Sequence, residues 1–526
     1  MEAIREGRPS RNVNESRTPS GPGPTKENEK KERKGQDAFD GGGETKRAAR
    51  PPAPEAPPAE KSKPKDELDD PALKLTEDEK DKLRAARDGV HDSERELEDP
   101  RRRRNTTAHH TAAVIEQSRS LDVDARSAIL KRLAAAAPAD VRSVSESLDR
   151  LTSSQAVQAA RAEEQKALAA AAQRADRAGL SDLSKVMASP AAAANPQVAT
   201  VAAQASNPGL AALRDLCLNQ PARLQVTDKD GRTTLDNLAT LATQPLHADL
   251  VKAGVSRASI LDSAMQEIAN PGGVVDQSSF GTCSVTSCQY EIARDDPSEY
   301  ARVLAGLMGP TGQAPMRNGD SLHLQTEYLT PRANDGRSPT EIVFQSAAMN
   351  YTLAPWFDYD AANDQSRFGQ LIPAGQGAYE TRFLSAFTGE KYDNVTLDLP
   401  ALNSLGLDFL EGQRTRDPGV DPIILNIWTS PGNKDAHSVT FLEAHDGRVY
   451  FRNQWGPDML ARGATNDKGW RVEDPANGEY SMSYEDFARN CYGFSASQEA
   501  LAAWTPPDVP PDRTPRPPPE PAHGPR

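Results

Sequence analysis

Residues able to build a core are confined to the middle of this chain. From residue 1 to about 70 the sequence is Pro, Gly, Lys, Glu and Arg with almost no large apolar side chains. Stretches such as Gly41-Gly42-Gly43 and Pro51-Pro52-Ala53-Pro54 carry no periodicity. The far end, from about Thr505 through Pro517-Pro518-Pro519 to Arg526, is built the same way. Such segments cannot bury enough apolar surface to offset the entropy of ordering them. A disordered leader over 1–70 and a disordered Pro-rich tail over 505–526 are therefore expected. Between them, 71–106 reads as a charged, weakly helical linker that includes Arg101-Arg102-Arg103-Arg104. That basic run reads as a solvated helix end, with a processing site as the sharper alternative.

The remaining stretch divides near residue 270. Over 107–270 the pattern is helical: Ile129, Leu130 and Leu133 recur at helical spacing, as do Val141, Val144, Leu148 and Leu151. The stretch 154–179 is dominated by strong helix formers. Pro138, Pro190, Pro196, Pro208, Pro221 and Pro245 cut the region into short helices. Asp228-Lys229-Asp230-Gly231 resembles the middle of a calcium loop. Val226 and Asn237 would fill that loop's first and last ligand positions, so a plain turn is expected.

From 271 to 504 aromatic and strand-type segments join the helices. Pro422 to Trp428 reads as a buried strand. Ser438–Glu443 and Val449–Asn453 flank Ala444-His445-Asp446-Gly447, a hairpin signal. Helices are expected after Cys283 and from Pro297 and Pro339. Helices and strands mixed without strict alternation indicate an α+β fold.

Charge and composition narrow the function classes. A net charge of −14 with a pI near 5.2 argues against a general nucleic-acid binder. No run approaches the roughly 18 apolar residues of a membrane helix. Met1 to Arg8 lacks the apolar core of a secretory signal, which suggests a cytoplasmic protein at synthesis; export without a cleaved signal stays open. The cysteines, Cys217, Cys283, Cys288 and Cys491, are too scattered for a disulfide framework and form no CxxC knuckle. A reducing compartment, no metal and no cofactor are expected. The pattern assigns no oligomeric state.

One constellation carries chemistry. Cys283 follows Gly281-Thr282 and opens Ser284–Arg294, which reads as an amphipathic helix with Val285, Ile292 and Ala293 on its buried side. A thiol at a helix N-terminus is expected to have a lowered pKa, because the thiolate faces the positive end of the helix dipole. The plain alternative is a small buried filler. Of the histidines within 271–504, His445 falls on the hairpin turn and His323 has no evident orienting partner. His437 opens the first hairpin strand and Asn453 ends the second, so antiparallel pairing can set them side by side. An Asn oxygen accepting from the imidazole would fix its tautomer.

Asp276-Gln277-x-x-x-Gly281-x-Cys283, then His437, then Asn453-x-Trp455-Gly456, resembles the papain-like cysteine peptidases. The Cys-to-His separation, 437 − 283 = 154, slightly exceeds that family's range of roughly 130–150. The resemblance implies a helical lobe and an antiparallel β lobe, with Cys283 as nucleophile, His437 as base and Asn453 as orienting group. It also implies oxyanion stabilisation by Gln277 and the Cys283 N–H, with Trp455 shielding the His–Asn pair. Ser284 stands where the family has an aromatic, and Phe280 where it has a disulfide-bonded cysteine, which points to a divergent, bacterial-type branch. The expected partner is a protein or peptide substrate, with no nucleic acid and no membrane. Acyl transfer or deamidation at the same thiol, or a catalytically silent interaction protein, are the alternatives. The helical region 107–270 is read either as an inhibitory pro-region or as a scaffold. Trp428, Trp470, Tyr450 and Phe451 are expected to line a core or cleft, and Asp435 to be a solvated loop acid. Cys217 and Cys491 are expected in cores.

Overall fold

A computed structural model describes residues 66–89, 106–278, 280–326, 329, 335–353, 359–360, 365–366, 377–397, 400–417, 420–429, 436–455 and 469–504. Most of the expected leader, the Arg101–Arg104 run, the Pro-rich tail, Ser279, Asp435 and Gly456 lie outside them.

The chain is α+β. Short helices fill 107–270, separated near the prolines as their spacing suggests. The Asp228–Gly231 segment is a turn: Asp228 Oδ1 accepts from the Asp230 and Arg232 N–H groups, and Gly231 has φ +77°. The helical side begins earlier than the composition suggests. Leu68 and Leu73 sit in short 3₁₀ turns, fully buried in the core, and Asp66 binds Arg84 and Arg87 on the helix Glu77–Asp88. Two leucines in a polar stretch anchor residues 66–73, which the composition alone did not single out.

Among the described residues the largest sheet has seven strands, alongside two two-stranded ribbons. Its strands in chain order are β1 Tyr392–Thr396, β2 Ile424–Trp428, β3 Ala436–His445, β4 Arg448–Arg452, β5 Arg471–Asp474, β6 Glu479–Ser483 and β7 Cys491–Ser497. Across the sheet the order is β1-β7-β2-β3-β4-β6-β5, and every neighbouring pair is antiparallel. The β3–β4 hairpin turns at Asp446 and Gly447, both at positive φ (+53° and +74°), as a two-residue primed turn requires.

Both faces of the sheet are covered, which explains the uninterrupted apolar run at β2. Ile424 joins the larger core, shared with helices on one side. Leu425 and Ile427 join a second core with Phe441, Phe451, Phe487 and Phe494. The larger core runs without a break from Leu68 through Ile260 and Ile268 to Val285, Ile292, Val303 and Phe344. The helical region and the helix that starts at Cys283 therefore share one interior. No helix of the described residues is long and apolar enough to cross a membrane.

The helix Cys283–Asp295 departs from the amphipathic expectation. From Cys283 to Ala293 every residue except Ser284 is buried, including Thr286, Ser287, Gln289 and Glu291. A helix enclosed on all sides can carry these polar groups because neighbours bond them: Ser287 Oγ lies 2.7 Å from Gln454 Nε2, and Gln289 Nε2 donates to Tyr300 at 2.7 Å. The approach to this helix is tied down by Arg452, fully buried at the end of β4. Its guanidinium donates to the carbonyls of Pro271, Gly272 and Val275 and lies 4.4 Å from the Tyr290 ring centroid. Arg452→Met strands those carbonyls without donors and is expected to destabilise the protein by about 3 kcal/mol, read as a lowered denaturation midpoint.

Candidate active site

Cys283 is the first residue of its helix, and Thr282 precedes it without a side-chain cap. The thiol is 0% exposed. Burial pushes its pKa up to about 11; hydrogen bonding from the Ser438 backbone pulls the other way, and the nearby Glu380 carboxylate adds to the rise. The lowered pKa expected from the helix position is thus overturned. Removing a thiolate from water outweighs what one helix end and a few N–H groups return.

His437 lies on β3, one residue before Ser438, and is 2% exposed. Its Nε2 is 2.9 Å from Asn453 Oδ1. The same oxygen accepts from the Trp455 backbone N–H at 3.1 Å, which fixes the amide orientation. Nε2 must then carry the hydrogen, and Nδ1 is the free basic nitrogen. The Trp455 ring stacks on the imidazole, centroids 4.3 Å apart and planes 27° from parallel. Burial lowers the His437 pKa to about 4, although the Asn453 bond opposes this.

Gln277 is buried, and its backbone N–H donates to the Gln454 carbonyl at 2.9 Å. Its Nε2 donates to the Phe280 carbonyl at 2.6 Å, using one of two hydrogens. The backbone swings through Ser278 at φ +55° to make that turn.

The fold therefore assembles His437, Asn453 and Trp455 into one bonded group and sets Cys283 against the neighbouring Ser438. Among the described residues the imidazole is not hydrogen-bonded to the thiol. His445 is exposed, stacked on Tyr450, and His323 is exposed at the end of a short strand. Trp428 packs on Tyr492 with centroids 4.4 Å apart; Phe451 is core and meets Trp470 edge-on. All four cysteines are free and buried. No group of His, Cys, Asp and Glu among the described residues is arranged to hold a metal ion.

Several neighbours of these residues carry no sequence signal. Gln454, between Asn453 and Trp455, has Nε2 at 2.7 Å from both Ser287 Oγ and Thr440 Oγ1, fastening the β4 exit to the Cys283 helix. Ser438 Oγ donates to Asn426 at 2.8 Å, and Asn426 Nδ2 is 3.2 Å from Glu380 Oε1. Glu380, on the helix Gly377–Thr388, also accepts from Ser495 at 2.7 Å, while its Oε2 is unbonded. Burial pushes this carboxyl up to about 7. A buried acid two residues removed from the thiol through Ser438 and Asn426 is readable only once β2, β3 and β7 are side by side.

No model of a known protein family matches the sequence, and no curated protein matches it significantly either.

The raised Glu380 pKa has a stability consequence. The fold favours its protonated form, so this contribution is fully present below about pH 4.5 and is lost as pH rises through about 7. Across that window the loss amounts to roughly 3 kcal/mol. Glu380→Gln keeps the acceptor for Asn426 and Ser495 and is expected to shrink the drop in stability between about pH 5 and pH 8 by that amount, measured by denaturant titration at each pH.

Proposed function

We propose that residues 271–504 form a divergent papain-like cysteine peptidase that cleaves peptide or isopeptide bonds through an acyl-thioester on Cys283. The observation that carries this reading is the 2.9 Å bond between His437 and Asn453 beneath Trp455, one residue from the serine that meets the thiol. A Ser438-bonded cysteine alone would be a core filler. Its pairing with an imidazole whose tautomer is set, and whose bond to Asn453 is covered by an indole, is what thiol chemistry needs.

Because burial keeps both groups neutral, the reaction starts from a thiol and a bare Nδ1. The Cys283 sulfur attacks the carbonyl carbon as its proton passes to His437 Nδ1. The oxyanion takes the second Gln277 Nε2 hydrogen and the Cys283 backbone N–H. His437 then gives the proton to the leaving amine, and water attacks the thioester to release the acid. With the thiol 0% exposed, a wall of the site has to move for a substrate to enter. Trp455, half-buried, stacks on His437, and Trp428 and Tyr492, also half-buried, pack on each other.

We read the helical region as a scaffold rather than a detachable pro-region. Glu267 within it accepts from Tyr300, Ser338 and Thr340 across the boundary, and Ile260, Ile268 and Val285 pack in one core. Full-length protein is accordingly expected to be active without cleavage. A fragment beginning at residue 271 is expected to be insoluble, and soluble, more active fragment would sink this view.

A peptidyl epoxide probe tests the catalytic reading on intact protein. Wild type is expected to take one label, Cys283→Ala none, and His437→Ala to react about 10²–10⁴-fold more slowly. Labelling that persists in Cys283→Ala would refute the assignment. Masses of products from a model protein separate hydrolysis from transfer or deamidation, which use the same thioester.

A further inference from the structure

The loop Asp276–Thr282, which carries Gln277 and leads into Cys283, is gripped from one side by residues 335–345. Glu341 Oε1 accepts the Asp276 N–H at 2.6 Å. The Gly336 N–H donates to Ser278 Oγ at 3.3 Å. Arg337, buried and forked onto Asp335, places its guanidinium carbon 3.5 Å from the Phe280 ring centroid. Phe280 occupies the position at which a crosslinking cysteine would stand in the resembled family, so this contact holds the loop where no disulfide can.

Gln345 is the centre of the grip. It sits one helical turn after Glu341 on the helix Pro339–Leu353, is fully buried, and uses all four of its hydrogen-bonding positions. Nε2 donates to the Asp276 carbonyl at 2.9 Å and to Gln289 Oε1 at 3.0 Å. Oε1 accepts from Thr282 Oγ1 at 2.9 Å and from Arg337 Nη1 at 3.3 Å. One amide therefore ties both ends of the loop. The Thr282 hydroxyl, at the N-cap position, does not cap the helix. It gives its hydrogen to Gln345 and also meets Thr286 Oγ1 at 3.2 Å, and its oxygen accepts from none of the first-turn N–H groups. Between the tied ends Ser278 is held at φ +55°, a conformation that costs about 1 kcal/mol or more for a non-glycine residue and persists only where its surroundings enforce it.

We propose that Gln345 is a positioning residue that sets the Gln277 amide and the Cys283 N–H for the developing oxyanion. This rests on the peptidase reading above. Gln345 touches neither substrate nor sulfur; it fixes the spacing between two donors that must converge on one oxygen within a few tenths of an ångström.

The test uses the full chain with a peptide substrate, the matching peptide aldehyde, and iodoacetamide. The aldehyde adds Cys283 to its carbonyl and mimics the tetrahedral oxyanion; iodoacetamide alkylates the sulfur without forming one. Gln345→Glu replaces the donating nitrogen by oxygen at constant size. It is expected to lower kcat about 10²-fold with KM within about threefold, and to weaken aldehyde binding in proportion to kcat. Alkylation is expected to stay within about twofold of wild type. Thr282→Val, which removes only the hydroxyl bond, is expected to act the same way at roughly tenfold, and decides the matter if Gln345→Glu does not fold. Active wild type with unchanged variants overturns the proposal, as does a parallel fall of kcat and alkylation. Wild type with no turnover and no aldehyde adduct overturns the peptidase reading and this proposal with it.

Discussion

Four consecutive residues at the exit of β4 hold the site together. Arg452 binds the carbonyls of the segment 271–275, Asn453 binds His437, Gln454 meets Gln277 through its backbone and Ser287 through its side chain, and Trp455 covers the imidazole. Leaving the strand, successive side chains diverge, so one short stretch reaches both the sheet carrying His437 and the helix carrying Cys283. These bonds are buried and nearly saturated, which makes the arrangement costly to disturb and specific in geometry.

That same burial governs the site's electrostatics. Cys283 and His437 are both driven toward their neutral forms, and Glu380 behind them is driven toward its acid form. Each shift has desolvation as its leading cause. Burial thus favours the uncharged form of each of these groups. The buried Glu267 carboxyl, pushed up to about 6 by burial, belongs to the same pattern.

Much of this fold could be read along the chain. The apolar run at β2, the Asp446-Gly447 hairpin and the helices from Pro297 and Pro339 follow from period, turn chemistry and the position of proline. The hairpin brings His437 and Asn453 to the same end of the sheet, but a register shift between Phe441 and Glu443 sets Thr440 opposite Arg452, so Asn453 reaches His437 from just beyond the paired residues. Less legible was the burial of the Cys283 helix. Its Thr, Ser, Gln and Glu residues look like a solvated face, and only partners distant in sequence, such as Gln454 and Tyr300, reveal otherwise. Leu68 and Leu73 were hidden in the same way by their polar surroundings.

By itself the sequence determined the α+β class, the thiol, imidazole and amide residues, and the hairpin that joins two of them, since these depend on local period and residue chemistry. Tertiary structure alone decided the protonation of Cys283 and His437, the acid Glu380 beside them, and the grip of Gln345 and Arg337 on the loop. The reason is physical: desolvation and hydrogen-bond saturation depend on which groups surround an atom in space. Residues such as Asp276 and Gln345, 69 apart in sequence, become neighbours only when the core closes.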